Sequence, residues 1–149
     1  MVADWKSHLE DLEGWANDKG YFVNFSKDGD DSICFFSKTI EINSSASLEK
    51  QVFRMLHECG HVLIFENGGN YSFENVRDDT QALVKSEKTL RVIEEIEAWN
   101  RGFKLAKRLS ITLDVEKWEK SVLDAIGKYI NWASRGDENE DVDESKITR

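Results

Sequence analysis

Apolar residues recur along this chain in two rhythms, and the changes between them divide it into elements. Trp5, Leu9, Leu12 and Trp15 return every three or four positions, the period of an amphipathic helix, and Gly20 supplies its stop. Residues 21–27, YFVNFSK, and 32–43, SICFFSKTIEIN, are instead dense in aromatic and β-branched residues, which suit a pleated surface. The DGDD between them is a turn signal and predicts an antiparallel hairpin. The second run is either one bent strand or two strands broken at Ser37-Lys38.

Helical rhythm returns after NSSAS, 43–47, whose hydroxyls suit a helix cap: Leu48, Val52, Leu56, Cys59 and Leu63 mark one face, and NGGN at 67–70 ends it. Residues 66–80 are polar and read as a surface loop. A long helix follows from about residue 81 to about 109. Asp114 then caps a closing helix in which Trp118, Val122, Ala125 and Tyr129 share a face. The pattern predicts a single α+β domain over residues 1–135, with a small antiparallel sheet packed on a central helix and further helices at both ends. Residues 136–149, GDENEDVDESKITR, are acidic and nearly devoid of apolar side chains, and read as a disordered tail.

The central helix breaks its own pattern. It reads RMLHECGHVLIF over 54–65, with His57, Glu58 and His61 where leucines would pack better. Phe53, Ile64 and Phe65 lie on or beside the histidine face, and the Leu48–Leu63 stripe occupies the other side, so the helix is expected to be buried all round. Buried imidazoles need partners. Histidines four apart share a helix face and converge on one ion, for which neutral imidazole nitrogens are good zinc ligands. A glutamate one residue on points about 100° away. Glu58 is therefore free to take a proton from a metal-activated water attacking a carbonyl and to return it to the leaving amine. H-E-x-x-H arises by chance on the order of a few times in a thousand chains of this length.

A catalytic zinc takes three protein ligands and keeps one position for water. His8, the remaining histidine, sits on a charged amphipathic segment and reads as a surface residue, so a carboxylate is expected. In LRVIEEIEAWNRGFKLAKRL, 90–109, Val92, Ile96, Trp99, Phe103 and Ala106 form one apolar stripe; Ala98, Gly102, Leu105 and Leu109 form an adjoining one. Glu95 falls in the seam, Glu97 faces the opposite way and Glu94 lies at the edge. Glu95 is the expected ligand, with Glu94 the main alternative and Glu74 a weaker one. Ala98 and Gly102, small residues one and two turns beyond Glu95, allow this helix to approach the histidine helix, where Gly60 offers the same freedom. Tyr71 and Arg77, in the loop, are candidates for stabilising a tetrahedral oxyanion.

Charge narrows the partners. The 149 residues carry a formal net charge of −9, which argues against nucleic acid, since phosphate binding needs a basic surface. No run approaches the roughly eighteen apolar residues of a membrane span, and MVADWKSHLEDLEGW lacks a signal-like apolar region. Cys34 and Cys59 make no disulfide framework and are expected to be buried thiols, as in a reducing cytoplasm.

TIEIN, then a capped helix bearing LHECGH, then a helix bearing E-x-x-A, together resemble the small gluzincin metallopeptidases. The likeness is to the ImmA/IrrE type of zinc-peptidase domain, common in bacteria and their phages. It covers roughly residues 21–109 and is most specific at HECGH and EIEAW. The resemblance implies a minimal gluzincin-like fold, zinc held by His57, His61 and Glu95, Glu58 as general base, and a protein or peptide substrate. The family's Leu-Leu-Met-Pro stretch is missing; this chain reads RLSITLDV, contains no proline and carries no helix-turn-helix module. TIEIN is also expected near the metal, with an outer edge to which an extended substrate could add. The competing reading is a zinc-stabilised, non-catalytic protein-binding module, such as a phage-type inhibitor.

Overall fold

In the computed structural model, the residues described are 4–68 and 87–135. Most of the expected loop 66–80, with Tyr71, Glu74 and Arg77, the expected helix start over 81–86, and the expected acidic tail lie outside them.

Helix α1, Trp5–Asp18, starts at Asp4, whose carboxylate accepts from Ser7 N at 3.1 Å. It stops where the sequence placed the stop. Gly20 adopts φ +91°, Gly20 N donates to Asn17 O and Tyr21 N to Ala16 O, which is the Schellman closure. Leu9, Leu12 and Ala16 form its buried stripe. The chain then enters β1, Phe22–Ser26, followed by β2, Ser32–Cys34, and β3, Thr39–Asn43. The second apolar run is therefore two strands, broken at the turn before Thr39.

The sheet is mixed, which corrects the wholly antiparallel expectation. Its order is β1-β3-β2. β3 pairs parallel to β1, with Val23 opposite Ile40 and Phe25 opposite Ile42, and antiparallel to β2, with Ile33 opposite Ile40. The DGDD turn does not fold β2 back on β1, because it is fastened to the end of β3. Asp31 Oδ1 accepts from Asn43 N at 2.7 Å, and Asn43 Nδ2 donates to Gly29 O at 2.7 Å. That leaves the middle of the sheet to β3, the strand with the cleanest alternation. Ile40 and Ile42 are fully buried between half-buried Thr39, Glu41 and Asn43.

Helix α2, Leu48–Glu66, is capped by Ser47, whose hydroxyl accepts from Lys50 N. It is buried on several sides: Val52, Met55, Leu56, Cys59 and Val62 join Ile33, Ile40 and Ile42 in the core. Burying such side chains stabilises by about 1.5–3 kcal/mol each. Helix α3, Glu87–Arg108, crosses α2, and α4, Val115–Ser134, capped by Asp114, packs along α3. Rings tie the four described helices together: Trp5 meets Phe53 at 6.3 Å, Phe53 meets Trp118 at 5.3 Å, and Trp118 meets Trp99 at 5.1 Å. Two apolar expectations are corrected. Ile96 is 50% exposed, on a part of α3 that neither neighbour covers, and Cys34 is half-buried because β2 is an edge strand. No described helix is long and apolar enough to cross a membrane.

Candidate metal centre

Successive turns of α2 place the His57 and His61 rings side by side, with centroids 4.8 Å apart. From α3, Glu95 reaches between them. Its Oε1 lies 2.9 Å from His57 Nε2 and its Oε2 lies 3.0 Å from His61 Nε2. Glu95 is 1% exposed and His61 4%. One ligand atom from each of the three residues falls within 4.8 Å of the others, the only such metal-competent group among the described residues.

The opposite ring nitrogens also face acids. His57 Nδ1 is 3.3 Å from Glu58 Oε1, and His61 Nδ1 is 3.6 Å from Glu94 Oε2 without a hydrogen bond. His57 is further held by Trp99, whose ring stacks on it at 4.4 Å and 11°. Glu58 is 4% exposed, next to this assembly.

Burial opposes charge on His57, but the carboxylates of Glu95 and Glu58 outweigh it and push the imidazole up to about 10. Burial likewise opposes charge on His61, and Glu95 again wins, raising it. For Glu95, burial favours the neutral acid, but His61 and His57 overcome it and hold the carboxyl well below its usual range. The three groups thus stabilise one another as a cation–anion cluster, which is the charge complementarity a divalent ion would take over. Two imidazoles and one carboxylate converging in a buried place form a donor set that fits zinc.

Of the sequence candidates, His57, His61 and Glu95 are brought together with Glu58 beside them. Glu97 is turned away and receives a hydrogen bond from Arg101 Nε at 2.8 Å. Glu94, expected at the edge, is 2% exposed, a correction that follows from α4 covering the flank of α3. His8 stands apart, edge-on to Trp5 on α1, and Cys59 is core. β3 is the central strand, so the idea that its outer edge receives substrate is also corrected: among the described residues the outer strands are β1 and β2.

Two functional candidates went unread in the sequence. α3 and α4 run antiparallel: Trp99 meets Trp118, and about three turns away Lys88 lies 5.2 Å over the Trp132 ring and donates to Arg135 O. That register sets Tyr129, one turn before Trp132, within electrostatic reach of Glu95, Glu58, Arg91 and Glu94. Burial, then the carboxylates of Glu95 and Glu58, raise its phenol, so it stays protonated. Asp31, at the head of β2, pairs with Arg54 of α2 at 3.3 Å, one turn before His57. A tyrosine on an apolar helix stripe reads as core; its being the hydroxylated ring of that stripe was the available signal.

The family model for the IrrE N-terminal-like domain matches residues 9–90, more than half of the chain. That stretch contains His57, Glu58 and His61 and ends before Glu95. No curated protein and no solved structure matches the chain.

Proposed function

We propose, from the premise that this chain belongs to the family of IrrE N-terminal-like peptidase domains, that it is a zinc-dependent metallopeptidase cleaving a protein target. The observation that carries this reading is Glu95 arriving, from a separate helix, between the Nε2 atoms of the two HExxH histidines in a buried place. His57, His61 and Glu95 would hold the ion. A zinc ion so held supplies Lewis acidity and brings the pKa of water to about 7.

The chain's own groups do the rest. Glu58 is anchored beside His57 and is the base that removes a proton from the attacking water and delivers it to the departing amine nitrogen. Tyr129, held neutral, is a hydrogen-bond donor for the oxyanion that develops on the carbonyl carbon. Trp99 fixes the plane of the His57 ring. The Asp31–Arg54 pair ties the head of edge strand β2 to the histidine helix, so an extended substrate segment is best accommodated by adding to β2 through backbone hydrogen bonds.

Glu58→Gln tests the reading. It should leave zinc binding intact and abolish cleavage, read by comparing proteomes exposed to the two forms of the protein. A biological effect that survives the substitution would instead make the chain a zinc-stabilised binding module.

A further inference from the structure

Neighbouring residues on a helix project about 100° apart, and burying both as carboxylates is costly unless each has a partner. Glu94 and Glu95 are such a pair, both inside the protein. Their two side chains bracket a single ring: Glu95 Oε2 is 3.0 Å from His61 Nε2, and Glu94 Oε2 is 3.6 Å from His61 Nδ1. His57 is oriented differently, by Glu58 on its Nδ1 side and by the Trp99 ring on its face.

A histidine that binds a metal through Nε2 is neutral and must carry its proton on Nδ1. For His61 that N–H would be buried, and among the described residues Nδ1 makes no hydrogen bond. A buried N–H without an acceptor is costly. The Glu94 carboxylate stands a few tenths of an ångström beyond hydrogen-bond range, on the side of the ring away from Glu95.

Building on the zinc reading above, we propose that Glu94 is a positioning residue: its carboxylate accepts the Nδ1–H of His61, fixing the tautomer that presents Nε2 to the metal. The two adjacent glutamates then divide the work, Glu95 in contact with the ion and Glu94 behind the imidazole. Glu94 thereby acquires a role other than that of a competing ligand.

The test uses the full chain with Zn2+, competed against a chelator, and with Co2+, whose absorption bands report the ligand set. Glu94→Leu should weaken Zn2+ binding about 10–100-fold, the usual effect of losing such an outer partner. Glu94→Gln keeps an acceptor oxygen and should recover most of that loss. Both should retain the wild-type Co2+ spectrum, whereas Glu95→Gln should change it. In the zinc-loaded protein, the His61 Nδ1–H should be a slowly exchanging NMR signal in wild type and Glu94→Gln, and should exchange fast in Glu94→Leu. The proposal is overturned if Glu94→Leu binds Zn2+ as wild type does, or if either variant alters the Co2+ spectrum as Glu95→Gln does. If Glu94→Leu does not fold, Glu94→Gln decides through its Nδ1–H signal: protection supports the role, and fast exchange refutes it. Wild-type protein that binds no Zn2+ would overturn the parent reading instead. Glu97→Gln, on the outer face, serves as the control and should match wild type throughout.

Discussion

Gly60 of α2 lies so close to Ala98 of α3 that a β-carbon at Gly60 would overlap the Ala98 carbonyl oxygen. The contact is reciprocated one turn away, where a β-carbon at Gly102 would fall 2.5 Å from Leu56 O. The two helices touch backbone to backbone, and this closeness is what lets the short Glu95 side chain meet both imidazoles.

Gly60→Ala should therefore cost about 1–3 kcal/mol or more, because the obstacle is backbone on another helix and cannot rotate away. It should also weaken zinc binding by displacing Glu95. Gly14→Ala, exposed within α1 with nothing near its would-be methyl, should be neutral or gain up to about 1 kcal/mol. Denaturant unfolding of the metal-free proteins measures both; equal effects would contradict the close crossing.

The two acids that flank Ile96 should behave in opposite ways. Glu95→Gln should lower Zn2+ affinity by at least about 100-fold, since it removes a charged donor from the centre of the site. Glu97→Gln should lose only a half-buried, solvent-reached pairing with Arg101 one turn on, worth about 0.3–0.5 kcal/mol. Chelator competition distinguishes them.

Zinc binding should release protons at neutral pH. His57 is pushed up to about 10, so in the metal-free protein it is charged at pH 7 and must deprotonate to coordinate. Apparent affinity should accordingly rise with pH by about tenfold per unit for each proton displaced, levelling off near pH 10. The metal-free fold has the opposite dependence. A histidine raised in the folded state contributes stability in full below its unfolded value of 6.5 and loses it as pH climbs through about 10. Calorimetry in buffers of different ionisation enthalpy counts the protons.

Tyr129→Phe should reduce kcat by about 10²–10³-fold with little change in KM, the signature of losing a donor used only when the oxyanion forms. Zn2+ affinity should stay near wild type. A loss confined to KM would assign Tyr129 to substrate binding.

How much of this was readable follows from how local each feature is. His57, Glu58 and His61 lie within a turn and a half of one helix, so residue spacing alone dictates their relation. The facing of Glu95 and the outward turn of Glu97 followed from counting stripes on a single helix. The burial of Glu94 did not, because it depends on α4 covering a second flank of α3. Strand order was similarly non-local: turn signals mark where a chain reverses but not what it pairs with, and here Asn43 fastens the turn to β3. The relation of Tyr129 to the site is not legible in the sequence because it is set by a helix–helix register that no single segment encodes.

The flat contact between Trp99 and His57 gives the protein a built-in optical gauge. An indole's emission responds to charge pressed against its ring, and this one rests on an imidazole caught between two carboxylates. Fluorescence from an unlabelled sample should thus brighten or dim as the imidazole gains or sheds its charge.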